Sequence, residues 1–119
     1  MNIVNLTPHP IVLVGANGNR WTFPSSGVCR VTSNAGALTD VAGIPVPVAG
    51  ATTFGAIEGL PAPVDGVVFI VSGMVASALV SSGVSRPDVL VPGTGPNDGA
   101  VRDEQGRIVG VTRLVRATA

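Results

Sequence analysis

The chain has no lysine or tyrosine, and it has only one cysteine and one histidine, so several protein classes are excluded at once. The lone Cys29 cannot form an internal disulfide, which argues against a secreted protein stabilised by disulfides. We expect Cys29 to be a small residue of the core. No apolar run reaches the length of a membrane span, and the N-terminus lacks the basic and apolar regions of a signal peptide. We therefore expect a cytoplasmic protein with no membrane partner.

Charge is also scarce, at 12% of the residues with a formal net charge of zero. A nonspecific nucleic-acid binder needs a basic face, so that class is excluded and any anion must be held locally. All seven cationic side chains are arginines, whose planar fork suits phosphate and carboxylate. A compositional bias toward arginine explains them as well. Low charge with 45% hydrophobic residues predicts a surface partly covered in a homo-oligomer.

The usual catalytic motifs are missing as well. The sequence has no Gly-x-Ser-x-Gly elbow, no His-Glu-x-x-His pattern and no cysteine pair. A hydrolase with paired carboxylates would have to use Asp88 with Asp98 or Asp103, and nothing spaces these acids on a common face. The sequence therefore favours binding over catalysis, and we expect no catalytic residue, cofactor or metal.

The clearest positive pattern is the uncharged stretch from Val67 to Gly83. Its β-branched and aromatic start, Val67–Val71, predicts a strand buried on both faces. Ser72 can cap the helix predicted over about residues 73–82, which Gly83 would end. Unpaired N–H groups in a first helical turn attract anions, so Ser72 and Gly73 are candidate ligand residues. The alternative is that Ser72 only caps and the helix only fills core.

The remaining segments predict short strands. Asn17-Gly18 lies between the strand-like runs 11–14 and 20–23 and predicts a hairpin. Alternate prolines over residues 43–48 exclude a central strand there. We therefore predict a single α+β domain spanning residues 1–119. It would be a mainly antiparallel twisted sheet or partial barrel of about six to eight strands with one central helix.

Three arginines are candidate anion ligands near the helix start: Arg30, Arg86 and Arg113. A period of two places Arg113 on the apolar face of a strand predicted over residues 107–116, where an unpaired charge is costly. Its partner is then either an internal acid such as Asp88 or a bound anion.

Four further residues have their own interpretations. Trp21 is favoured as core, with base stacking as the alternative, and Phe54 is a second stacking candidate. The loop over residues 92–99 has no apolar anchor, so it is either mobile or held by a ligand or partner. Thr94 near its start is a candidate within a backbone anion nest. His9, between two prolines, is either a structural hydrogen-bonder or a polar contact at the lip of a site.

The chain resembles a family of small stand-alone proteins of phages, prophages and actinobacteria. The resemblance lies in Asn5-Leu6-Thr7-Pro8-His9-Pro10, Pro24-Ser25-Ser26-Gly27 with Arg30, Gly59-Leu60-Pro61, Ile70-Val71-Ser72, Arg86-Pro87-Asp88 and Val91-Pro92-Gly93-Thr94. The opening motif, the size and the single-domain build are also similar to those of phage anti-Thoeris sponge proteins of the first type. That resemblance implies an oligomer that binds cyclic ADP-ribose-type immune signals without cleaving them.

Together these features predict a non-enzymatic protein that sequesters a small phosphorylated, cyclic nucleotide signal, as in phage evasion of bacterial immunity. The expected partners are this anionic nucleotide and further copies of the chain, in the host cytoplasm if a phage encodes it. A structural or assembly protein of a phage particle is the alternative from a different class. A small phosphoesterase is a further alternative.

Overall fold

The fold consists of short strands and one helix. The computed structural model describes residues 2–34, 36, 38–51 and 53–118, with the backbone alone for residues 38–41 and 44–49. In chain order the elements are β1 (Asn2–Asn5), β2 (Ile11–Val14), β3 (Arg20–Phe23), β4 (Arg30–Asn34), β5 (Leu38–Val41), β6 (Ile44–Ala49), β7 (Thr53–Glu58), β8 (Val67–Ile70), α1 (Gly73–Ser81), β9 (Val89–Pro92), β10 (Val101–Arg102), β11 (Ile108–Gly110) and β12 (Leu114–Arg116).

A four-stranded sheet in the order β1-β8-β9-β12 forms the centre of the molecule. Strand β8 pairs in parallel with both β1 and β9, and β12 pairs antiparallel with β9. Phe69, Ile70 and Val71 are at most 3% exposed, because β8 has a strand on each side. The buried central strand predicted from the sequence is therefore confirmed.

Helix α1 covers this sheet and begins and ends close to where the sequence predicts. Ser72 is the N-cap, and its Oγ accepts from the N–H of Val75 at 3.4 Å. The chain leaves the helix at Gly83, whose φ of 71° is accessible to glycine without strain. The buried residues Val75, Ala78 and Leu79 follow the helical repeat. Burial of each large apolar side chain contributes about 1.5 to 3 kcal/mol.

Within the described residues, four further sheets have two strands each, and each is antiparallel: β2–β3, β4–β7, β5–β6 and β10–β11. The Asn-Gly hairpin is thus confirmed, and the proline-rich strand β6 lies outside the central sheet, as predicted. The fold is α+β and β-rich with mostly antiparallel pairing, and the described residues form no closed barrel. The expected single sheet of six to eight strands is instead divided into five sheets, of which the central one is mixed.

The opening motif is a folded turn held by the side chain of Asn5. This residue is 1% exposed, and its amide donates to the carbonyl oxygens of His9 at 2.8 Å and Phe23 at 2.9 Å. Its Oδ1 accepts from the N–H of Thr7 at 3.0 Å and from the Thr7 hydroxyl at 2.7 Å. The turn therefore attaches the end of β1 to β3. It also brings Pro8 to the wall of the groove described below.

The C-terminal segment differs from the predicted strand over residues 107–116. Strand β11 ends at Gly110, the chain bends at Thr112, and β12 begins at Leu114. The period of two is interrupted at this bend, so the placement of Arg113 on an apolar strand face is wrong. Its side chain is 56% exposed.

Candidate functional site

A groove with a volume of about 600 Å³ lies between the start of α1 and the β4–β7 sheet. The helix packs on both strands of that sheet, while Val31 and Ile57 attach the sheet to the central core. The groove is lined by Pro8, Val28, Cys29, Arg30, Val31, Thr32, Ala56, Glu58, Ser72, Met74 and Val75. Two of the predicted ligand residues, Arg30 and Ser72, are therefore brought to one cavity.

The first turn of α1 borders this groove. Ser72 caps the helix, because its side-chain oxygen accepts a hydrogen bond from the N–H of Val75. Its carbonyl oxygen accepts a second hydrogen bond, from the N–H of Ala76. The N–H groups of Gly73 and Met74 have no acceptor among the described residues. These two donors and the positive end of the helix dipole are available to an anion. Capping and anion binding are thus compatible in this turn.

Arg30 contributes a positive charge to the groove wall. Its side chain is exposed, and it forms no hydrogen bond or ion pair within the described part of the chain. Strand register places it directly opposite Glu58 of β7, which lines the same groove. No ion pair joins the two side chains among the described residues. Both charged groups are therefore free to contact a ligand.

Cys29 lies at the base of the groove and is only 4% exposed. Burial raises the pKa of its thiol, so the protonated and unreactive form predominates at neutral pH. Cys29 packs with Leu6, Phe69 and Val75 in the core cluster. The prediction that it is a small core residue is confirmed.

Arg86 forms its side-chain hydrogen bonds with groups of the protein itself. Its Nε and Nη2 donate to the two carboxylate oxygens of Asp88 at 2.9 and 2.8 Å, and Nη2 also donates to the carbonyl of Pro61 at 2.9 Å. The two side chains are 13% and 16% exposed. The hydrogen bond from Arg86 is the main reason that the pKa of Asp88 lies below its ordinary value, while the same bond raises the pKa of Arg86. Arg86 does not line the groove.

Arg113 belongs to a separate cluster that holds the loop over residues 92–99. Its guanidinium donates to the carbonyl of Asn97 at 3.0 Å and lies 3.7 Å from the carboxylate of Asp98. Asp98 in turn accepts from the N–H of Gly95 at 2.9 Å. The loop thus has contacts with its own chain that the sequence did not predict. Arg113 thus has an internal acid beside it, as one of its two alternatives predicted, but that acid is Asp98 rather than Asp88, which pairs with Arg86.

The remaining sequence candidates lie away from the groove. Trp21 is 50% exposed on the β2–β3 sheet, so its prediction as a core residue is wrong. Phe54 is half-buried on β7 and lines neither the groove nor the smaller cavity. Thr94 lines a second, mostly apolar cavity of about 200 Å³ next to β2 and β11. His9 has an exposed side chain, and its carbonyl rather than its ring makes the structural hydrogen bonds.

Acidic side chains do not assemble into a cation site within the described residues. Asp88 pairs with Arg86, Asp98 with Arg113, and Asp103 lies 3.5 Å from Arg107 in an exposed turn. No helix in the described part of the chain has the length and apolar character needed to cross a bilayer. The comparison of the chain with protein-family models, with curated proteins and with solved structures finds no match.

The sequence marked only Arg30 and Ser72 of the groove lining as ligand residues, and the other lining residues, among them Glu58, Thr32 and Met74, were not predicted. Met74 belongs to the helix for which core filling was the alternative interpretation, yet it is 51% exposed beside the groove. The signal that identifies Glu58 is its register with Arg30 across β4 and β7, which no local pattern contains.

Proposed function

We propose that the chain is a non-enzymatic binding protein that sequesters a small phosphorylated, cyclic nucleotide in the groove between α1 and the β4–β7 sheet. The observation that carries this proposal is that Arg30, whose guanidinium has no partner within the described residues, lines the same cavity as Ser72 and Met74 of the open helix start. Gly73, the other residue predicted at this helix start, does not line the cavity. Arginine and helix N-termini are the two groups that proteins most often direct at phosphate. The groove volume of about 600 Å³ is also in the range for small-molecule sites.

The chemistry of the remaining lining supports retention rather than reaction. The Cys29 thiol is buried with a raised pKa. His9 lies outside the lining, so within the described residues the groove has no imidazole to act as a general base or acid. Apolar side chains such as Val28 and Met74 can contact a base or ribose, while the anion lies near Arg30. A phosphorylated guest would thus be held intact.

The experiment is a ligand-capture assay. The purified protein is incubated with cyclic mononucleotides, cyclic dinucleotides and cyclic ADP-ribose isomers, washed, heated to release its ligands and analysed by mass spectrometry. We expect at least one intact nucleotide to be recovered. Recovery of the whole panel in the wash, with nothing released by heat, would overturn the proposal. Progressive loss of a panel nucleotide with time would instead support the phosphoesterase.

A matched pair of arginine variants locates the site. Arg30→Gln removes the free cation from the groove, and we expect its affinity for the captured nucleotide to fall about ten- to hundredfold. Arg20→Gln is the control, because Arg20 is also exposed and without a protein partner within the described residues but lies on β3, outside the groove. Equal affinities of the two variants would exclude the groove as the binding site.

The elongated shape favours a second candidate, a structural or assembly protein of a phage particle. The radius of gyration is 17.0 Å, with extents of 55 × 39 × 23 Å. A compact domain of this length has a radius of about 13 to 14 Å. Helix α1 also exposes Val80 by 61%, which suits contact with further copies. Light scattering separates the candidates, since a small closed oligomer supports the sponge and open-ended assembly supports the particle protein.

A further inference from the structure

The groove carries one charge of each sign, in register on neighbouring strands. Arg30 and Glu58 face each other across the β4–β7 pair, and both are exposed and line the groove. Side chains in this relation have Cβ atoms about 5 Å apart, close enough to reach two groups of one small molecule. The described residues supply no ion pair or hydrogen bond to either side chain.

The two side chains require opposite partners. The guanidinium of Arg30 has only donors, whereas the ionised carboxylate of Glu58 has only acceptors. A phosphate near Arg30 is attracted by one charge and repelled by the other, and the repulsion increases with each added negative charge. A hydrogen-bond donor on the same ligand, such as a ribose hydroxyl or a base amine, satisfies Glu58.

From this geometry we infer that Glu58 is a specificity-determining residue of the groove. It selects singly charged phosphodiesters that also carry a hydrogen-bond donor and rejects polyphosphates and inorganic phosphate. This inference rests on the proposed function, because it names the ligand class of the same site. It differs from that function in making a carboxylate, rather than a cation, the source of selectivity.

The test compares 3′,5′-cyclic GMP with GDP by calorimetric titration of three proteins. These are the wild type, Glu58→Gln, and Glu104→Gln as a control in the exposed turn away from the groove. We expect the wild type to prefer cyclic GMP. Loss of the carboxylate should reduce this preference about tenfold, since GDP carries about two more negative charges than the diester. The control should keep the wild-type preference.

Two analogues identify the donor that Glu58 accepts. Cyclic IMP lacks the exocyclic amine, and 2′-deoxy cyclic GMP lacks the ribose hydroxyl. The wild type should bind one of them less tightly than cyclic GMP, and this difference should become smaller in Glu58→Gln, because an amide oxygen accepts a weaker hydrogen bond than a carboxylate. Unchanged selectivity in Glu58→Gln, or equal binding of all three nucleotides by the wild type, overturns the inference. No binding of cyclic GMP also overturns it, whereas capture of another cyclic nucleotide in the panel would leave the proposed function standing.

Discussion

Replacement of Asn5 by alanine tests whether one buried side chain holds the opening turn. The hydroxyl of Thr7 still reaches the carbonyl of His9 at 2.9 Å in the variant. In the variant the N–H of Thr7 loses the Asn5 acceptor, and the carbonyl of Phe23 loses the Asn5 donor. Each lost hydrogen bond costs about 1 to 3 kcal/mol, so we expect the free energy of unfolding to fall by about 3 kcal/mol. In a domain of this length, that loss lowers Tm by about 10 °C.

Replacement of Asn5 by aspartate keeps the shape of the side chain and changes only its hydrogen bonding. The introduced carboxylate faces the carbonyl oxygens of His9 and Phe23, so its charged form is disfavoured and its pKa rises in the folded state. The folded variant then binds more protons than the unfolded chain. Its stability therefore decreases as pH rises from the unfolded pKa of about 4 through the raised value.

Urea unfolding followed by circular dichroism measures both effects at pH 4.5 and pH 7. Asn17→Ala is the control, because Asn17 is exposed and accepts one hydrogen bond, from the N–H of Asn19 at 3.1 Å. We expect the control to lose about 0.5 kcal/mol. The reasoning is refuted if Asn5→Ala loses no more than this control. It is also refuted if Asn5→Asp follows the pH dependence of the wild type.

Two further substitutions test the contacts around the site. Asp88→Asn removes the carboxylate that pairs with Arg86 and should cost about 2 kcal/mol at pH 7. Pairing with Arg86 lowers the pKa of Asp88 in the folded state. The stability that this pair contributes is therefore present above the unfolded pKa of about 4 and is lost as pH falls through the lowered pKa. A stability difference between wild type and variant that is as large at pH 2 as at pH 7 would contradict the assignment. Gly59→Ala places a Cβ 2.8 Å from the carbonyl oxygen of Val28 at a φ of 83°, whereas Gly66→Ala has a φ of 75° and open space. In thermal melts Gly66→Ala should lose about 1 kcal/mol and Gly59→Ala at least about 2 kcal/mol more. Equal losses would argue against the close contact of Gly59 with the backbone at Val28.

Local sequence signals predicted the elements whose ends are determined by residues close by in the chain. Ser72 and Gly83 mark the two ends of α1, because a cap and a positive-φ residue act within one helical turn. The β2–β3 hairpin follows from Asn17-Gly18 for the same reason, since two residues determine the turn. Fold class and the position of the helix could therefore be derived from the sequence.

Long-range pairing was not predictable in the same way. Strand β8 pairs in parallel with β1, so residues near Asn2 contact residues near Val67, and nothing local to either strand marks the other. Trp21 was predicted as core because of its size. Its exposure depends on which element covers the β2–β3 sheet, and that is a property of the packing.

Only the helix side of the groove could be predicted from the sequence, because its other side depends on how two distant strands pair. Ser72 belongs to a local motif, while Arg30 and Glu58 share a wall only through the register of β4 with β7. The β4–β7 sheet is separate from the central sheet, and apolar contacts of Val31 and Ile57 with the core attach it. A ligand that contacts Arg30 and the start of α1 would therefore bridge two units of the fold. Since such a ligand binds only the folded arrangement, its binding free energy adds to the stability of the contact between the two walls.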